Sequence, residues 1–178
     1  MKYILMVLIL LGLMVLFLQT RLKISHVEKP VFLKVDDIAN NHQTKINIAV
    51  QSFYKPSKEQ LIAFEKDYNA IWAHLNYMYN SGDILKGKEY YTQNWFKLVA
   101  NEYKAPLKTG LQRIDSVHNV KLINWSFDGL VCNIIDSGVV LKTKYNNKVI
   151  DTQVGHFAIA LLFQGDHWRI EGLRQLGN

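Results

Sequence analysis

Few side chains in this sequence combine the type and the setting that chemistry needs. Cys132 is the single cysteine, so an intramolecular disulfide and a four-cysteine metal site are both excluded. Set in Leu130-Val131-Cys132-Asn133-Ile134, it reads as a small buried hydrophobe rather than a thiol nucleophile. His156 is the candidate base. In the run from Gln153 to Phe163 it shares a face with Val154, Ala158, Ala160 and Leu162, which leaves room for a pocket or a neighbour; the alternative is a hydrogen-bonded histidine within a sheet. Asp83 and Asp128 are candidate acids, but each adjoins a glycine in a turn-like context, where capping explains it. No carboxylate is expected in the middle of a strand on an apolar face. His74, His118 and His167 show no metal-ligand spacing with His156, and His26 and His42 fall in stem or turn segments, so no metal is expected. No Walker loop, dinucleotide fingerprint, HExxH or nucleophile elbow occurs, and no cofactor is implied.

The elements that would position these groups begin after an unusual N-terminus. From Tyr3 to Leu18 no side chain is charged or strongly polar. As a helix, sixteen residues span roughly 24 Å, a little short of a hydrocarbon core of about 30 Å. Gln19 and Thr20 can lengthen it, and Lys2, Arg21 and Lys23 can reach the headgroups. A cleavable signal peptide would want small residues before its cleavage site, and Phe17-Leu18-Gln19-Thr20-Arg21-Leu22 offers none in the right places. The expectation is an uncleaved, single-pass membrane anchor over residues 1–23. Positive charge on both flanks leaves the charge rule undecided; the short basic N-terminus is read as a signal anchor that exports the following domain to the periplasmic or extracellular side.

The net charge of +6 is split evenly between residues 1–29 and the remainder, where 17 basic groups face 14 acidic ones. The surplus near the apolar run suits anionic headgroups, and the rest carries no basic run. Nucleic acid is not implied.

Residues 24–56 read as a stem with short β-like stretches at Val31–Val35 and Ile46–Val50, and 57–178 as the folded domain. Ser57 with Gln60 has capping-box spacing. Leu61, Phe64, Tyr68, Ile71, Trp72, Leu75 and Met78 then recur at helical steps, and Gly82 suits a left-handed stop. A second helix is expected from Lys88 to Lys104, packing through Tyr91, Trp95, Leu98, Val99 and Tyr103. The rest reads as strands from Val117 to Phe127, Leu130 to Ile135, Val139 to Tyr145, Val149 to Phe163 and His167 to Leu173. They are separated by Asp128-Gly129, Asp136-Ser137-Gly138, Asn146-Asn147 and Gln164-Gly165-Asp166. Turns this short join antiparallel neighbours. Helices first and an antiparallel meander afterwards give α+β, with the helices on one sheet face. Trp72, Trp95, Trp125 and Trp168 are spread over separate elements and read as core or interface anchors.

The long aromatic helix closing on Asn80-Ser81-Gly82-Asp83, the second helix with Tyr90-Tyr91-Thr92, and the last hairpin ending on Trp168-Arg169-Ile170 resemble the NTF2-like superfamily over roughly residues 57–176. The resemblance implies a cone in which helices close over a curved antiparallel sheet. Enzymatic members place a carboxylate and tyrosines inside the cone, which here makes Tyr68, Tyr77 and Tyr91 candidate donors. It also makes Tyr68, Trp72, Trp95 and His156 the candidate cavity residues. The short strand pair of many enzymatic members is missing between Asp83 and Lys104, so the pattern looks more like membrane-anchored, non-enzymatic members of envelope, secretion and transport machinery. The expectation is an interaction module that is held in the membrane by residues 3–18 and meets a protein partner or second copy through its sheet face, with no catalytic residue assigned. The alternative is a small-molecule binder or isomerase- or hydrolase-type enzyme.

Overall fold

The computed structural model describes residues 36–42, 44–102 and 110–177. The expected anchor over residues 1–23 and the β-like stretch at 31–35 lie outside the described residues. Among the described residues no helix is long and apolar enough to cross a membrane.

The described chain is α+β. It runs α1 (Asp37–Asn40), β1 (Lys45–Val50), α2 (Lys58–Ser81), a single 3₁₀ turn (Lys88–Tyr90), α3 (Gln93–Glu102), β2 (Leu111–Asp115), β3 (Val117–Trp125), β4 (Val131–Tyr145), β5 (Lys148–Gln164) and β6 (His167–Leu176). The start of α2 follows its sequence closely. The Ser57 hydroxyl accepts from the Gln60 amide at 3.2 Å, and the Gln60 side chain accepts from the Ser57 amide at 2.8 Å. This reciprocal pair satisfies two otherwise orphaned donors. At the far end Gly82 takes φ 71° and donates to the Met78 carbonyl, a conformation that costs little only without a Cβ.

The second helix is shorter than expected. Its first turn is 3₁₀, and Tyr91 is extended and bridges in parallel to Ile170 of β6. The α-helix begins at Gln93, with the Thr92 hydroxyl accepting from the Trp95 amide. Burial of Tyr90 and Tyr91 pulls this segment onto the sheet and overrides the local helical pattern.

The sheet is mixed rather than antiparallel throughout, with order β1-β3-β4-β5-β6. β2 and β3 lie end to end along the same edge of β4. β1, within the supposed stem, is an integral strand and pairs in parallel with β3, from Lys45 opposite Val117 to Val50 opposite Leu122. The turn argument applies only to strands adjacent in the chain. Between β1 and β3 the chain builds its whole helical layer, a crossover long enough for parallel pairing. β4 is continuous across Asp136-Ser137-Gly138, which forms a bulge with Gly138 at φ 69° instead of a turn. The β4–β5 hairpin closes through Asn146 and Asn147, both at positive φ, the geometry whose twist matches the strands.

The core is an aromatic stack between α2 and the sheet. Phe64 stacks on Tyr68 at 5.6 Å and meets Trp168 edge-on at 5.9 Å, Trp168 lies 5.0 Å from Trp125, and Trp72 reaches Phe157 at 5.4 Å. Because α2 supplies one whole side of this stack, its end cap bears on global stability. Ser57→Ala is expected to lower unfolding free energy by about 1 kcal/mol, seen as a lower urea midpoint with an unchanged slope.

Candidate functional site

Alternation along β3 turns His118, Val120 and Leu122 toward α2. Alternation along β4 turns Cys132, Ile134 and Asp136 the same way. Two polar side chains thereby enter an apolar layer, and they meet. His118 is 0% exposed. Its Nδ1 lies 2.5 Å from Asp136 Oδ2, and its Nε2 lies 2.9 Å from Asp115 Oδ2 at the end of β2.

The two carboxylates are also engaged from α2, from β3 and from the segment before β1. Tyr68 on α2 donates to Asp136 Oδ2 at 2.6 Å, and the Asn119 amide donates to Asp136 Oδ1 at 3.0 Å. Thr44 donates to Asp115 Oδ2 at 2.7 Å, while His42 Nε2, at 2.8 Å, and the Asn76 amide both meet Asp115 Oδ1. Asn69 turns its Oδ1 to His42 Nδ1 at 2.9 Å and donates from Nδ2 to the His42 carbonyl. Arg113 adds a clamp, with Nε on Asn76 Oδ1 and its backbone amide on Asn80 Oδ1. The result is a continuous polar chain, Tyr68–Asp136–His118–Asp115–His42–Asn69, joining α2, β2, β3, β4 and the segment before β1.

The electrostatics follow from this geometry. Burial disfavours a charged imidazole, but hydrogen bonds to Asp115 and Asp136 outweigh it and raise the pKa of His118 above its ordinary value. Burial also works against ionised Asp115, yet hydrogen bonds from His118 and His42 hold it well below the usual carboxylate range. Burial, reinforced by Asp136, pushes the Tyr68 phenol well above its ordinary value. Both nitrogens of His118 face carboxylate oxygens, so the ring presents no free lone pair to a substrate. Its surroundings favour the protonated ring, and Tyr68 serves as a donor to Asp136.

A second cluster sits on another flank of α2. Asp36 Oδ2 meets His74 Nε2 at 2.8 Å and the Tyr90 hydroxyl at 2.9 Å. Burial opposes its ionisation, but hydrogen bonds from His74 and the Ala39 amide take it down to about 2. Nearby His167 Nε2 donates to the Glu89 carbonyl and Nδ1 meets Asp166. Asp67 accepts from the Trp168 amide at 3.0 Å, and burial pushes it up to about 6.

Of the four cavity candidates, the fold brings two together. Tyr68 and Trp72 pack at 6.5 Å, and Trp72 lies 4.7 Å from the His118 ring. Trp95 is half-buried on α3. His156 lies on the opposite sheet face from Phe157 and accepts from the Gly138 amide at 3.3 Å. Tyr77 is half-buried beneath Lys86, and the Tyr91 hydroxyl points at Met78 Sδ. Asp83 accepts from the Leu85 amide, and Asp128 from Ser126 and the Leu130 amide, both as turn caps. Cys132 is buried, and burial pushes its thiol up to about 12.

Neither carboxylate of the site is among the acids expected from the sequence: Asp115 carries no local signal there, and Asp136 reads as part of a turn. Asp136 lies in mid-strand on the buried face, hidden because Asp-Ser-Gly has turn chemistry. His118 stands in register with Val120 and Leu122, and Asp115 lies only three residues before it, but Asp136 and the groups that complete the chain come from other elements.

No family model matches the chain, and neither does any curated protein. Among solved structures, the intermembrane space region of the chloroplast protein ARC6 is similar over 69% of this chain and 100% of that one, at 12% identity and a TM-score of 0.42.

Removing His118 leaves two buried carboxylates face to face. His118→Leu is therefore expected to cost about 3–5 kcal/mol, with part recovered when Asp115→Asn and Asp136→Asn are added. The pH profile carries the same signature. The stabilisation from His118 is complete below about pH 6.5 and is lost as pH rises through its raised folded value. That from Asp115 is complete above about pH 3.9 and is lost as pH falls through its depressed one. Asp67 acts oppositely, costing stability as it ionises between about pH 4 and 6. Urea midpoints across pH 3–9 should fall at both ends, and His118→Leu should lose the alkaline limb.

Proposed function

We propose that this chain is a membrane-tethered, NTF2-like interaction module, an accessory part of an envelope, secretion or transport assembly. The apolar run at residues 3–18 holds it in the bilayer, and the domain stands on the exported side. The observation that carries the docking role is an exposed aromatic patch built from two separate loops.

Ser52, itself buried, accepts from the Trp125 amide at 2.7 Å and ties the loop after β1 to the end of β3. That loop presents Phe53 and Tyr54. The β3–β4 turn, organised by Ser126 and Asp128, presents Phe127. Phe53 is 89% exposed, Phe127 84% and Tyr54 45%, and the rings meet edge-on at 5.0 and 5.4 Å. Burying one such ring is worth about 1.5–3 kcal/mol. Scattered exposed apolar residues are ordinary, but a contiguous aromatic cluster on ordered turns is a feature of docking surfaces.

The outward row of the sheet supports a second contact. Ile135 pairs with Ala158, and together with Ala160 and Leu162 it is half-exposed on the face away from α2. A small-molecule site lined by Tyr68, Trp72, Trp95 and His156 has less support, since the first two belong to the packed core.

Two measurements test this reading. The full chain should stay with the membrane pellet through an alkaline carbonate wash. Phe53→Asp with Phe127→Asp should shift stability by no more than about 0.5 kcal/mol, yet remove the cross-linked adducts formed in native membranes. Adducts that persist unchanged, or a chain released by carbonate, would overturn the proposal.

A further inference from the structure

Beside the sheet edge formed by β1 runs an open groove of about 560 Å³, with Lys45 and Ile46 on one wall and Ile62, Glu65 and Lys66 of α2 on the other. Among the described residues, β1 has a strand partner on one side only, β3. The Gln51 amide donates to the Leu122 carbonyl of β3 at 2.9 Å. Backbone groups alternate sides along a strand, so those of Ile46, Ile48 and Val50 point away from β3. The Val50 carbonyl is met by Lys55 Nζ at 3.3 Å. Ile62 is 60% exposed across the groove.

We infer that this edge accepts an extended segment of a partner protein by strand addition, with one of its apolar side chains between Ile46 and Ile62 and acidic side chains beside Lys45 and Lys66. An unpaired row of amides and carbonyls is matched only by another extended backbone. The apolar floor selects one alternating face of that strand. The two lysines against the single Glu65 set a positive balance that favours an acidic one.

Two other occupants fit the geometry less well. The β-like stretch at residues 31–35 is joined to Asp36, which His74 and Tyr90 hold. His74 lies twelve residues beyond Ile62 on α2, about a third of a turn round the helix, so the Asp36 contact is on a different flank from the groove. A second copy would bring the same lysines to a shared groove. This inference concerns a surface distinct from the aromatic patch, and its test reads different residues.

The test is hydrogen exchange on the full chain in nanodiscs, read at the amides of Ile46, Ile48 and Val50. The probe is a blocked synthetic peptide alternating valine with threonine and carrying aspartate at each end. The peptide should slow these amides by about tenfold or more. The same peptide N-methylated at alternate amides should have no effect, and Ile62→Glu, on an exposed helix position, should abolish the slowing without altering exchange in β4. Three results would overturn the inference. They are no slowing by the peptide, amides already protected in the free chain until residues 31–35 are deleted, or protection that rises with protein concentration alone.

Discussion

An imidazole held between two carboxylates, out of reach of water, is the constraint around which the domain is arranged. His118 sits on β3, Asp136 on β4 and Asp115 at the end of β2, and none of the three is tolerable in that interior alone. Each needs the others, so the three strands must stand in one register. Regular alternation already sets the Asp136 carboxylate on the helix-facing side, and the bulge that follows shifts the register in which β4 continues past it to pair with β5 and β2. Tyr68 and Asn76 fix where α2 lies across this centre, and His42 and Thr44 fix how the chain reaches β1. The apolar stack of Phe64, Trp72, Trp125 and Trp168 is buried as well. It is non-directional, whereas the polar chain accepts only one arrangement.

The same logic explains how the segment from Asp36 to Thr44 is attached. It has little apolar surface, with no buried residue in α1, yet it is fastened at both ends by acid–histidine pairs. Asp36 binds His74 and Tyr90, while His42 binds Asp115 and Asn69. Attachment of this kind is directional and depends on charge, so it holds β1 at the sheet edge without sealing that edge. Among the described residues, β1 arrives after a polar strap and pairs in parallel with β3 alone, which leaves one row of its backbone groups without a strand partner. Of the two proposed contact surfaces, the open edge lies along this strand, and the aromatic patch joins the loop that follows it to the β3–β4 turn.

Local elements were legible wherever a short-range rule governed them. The capping box at Ser57, the glycine stop at Gly82 and the Asn146-Asn147 hairpin each depend on residues within a few positions of one another. The apolar stripe of α2 was readable for the same reason. The readings that failed involve competition between local preference and distant partners. Asp136-Ser137-Gly138 has the composition of a turn, but the strands on either side of β4 keep it extended. Lys88 to Thr92 has a helical pattern, but burial of Tyr90 and Tyr91 against the sheet draws it out of one.

From its order of residues alone, this protein settles where α2 begins and stops, where the β4–β5 hairpin turns, that the class is α+β, and that one face of α2 must be buried. Tertiary structure alone decided that β1 runs parallel to β3, that Tyr68 and Trp72 belong to a packed core, and that His118 is the hub of a buried ionic chain. The reason is physical. Capping, periodicity and turn geometry act over one or two helical turns or a hairpin, whereas the buried polar chain joins groups up to 73 residues apart, as His42 to Asp115, and no local pattern encodes which ones will meet.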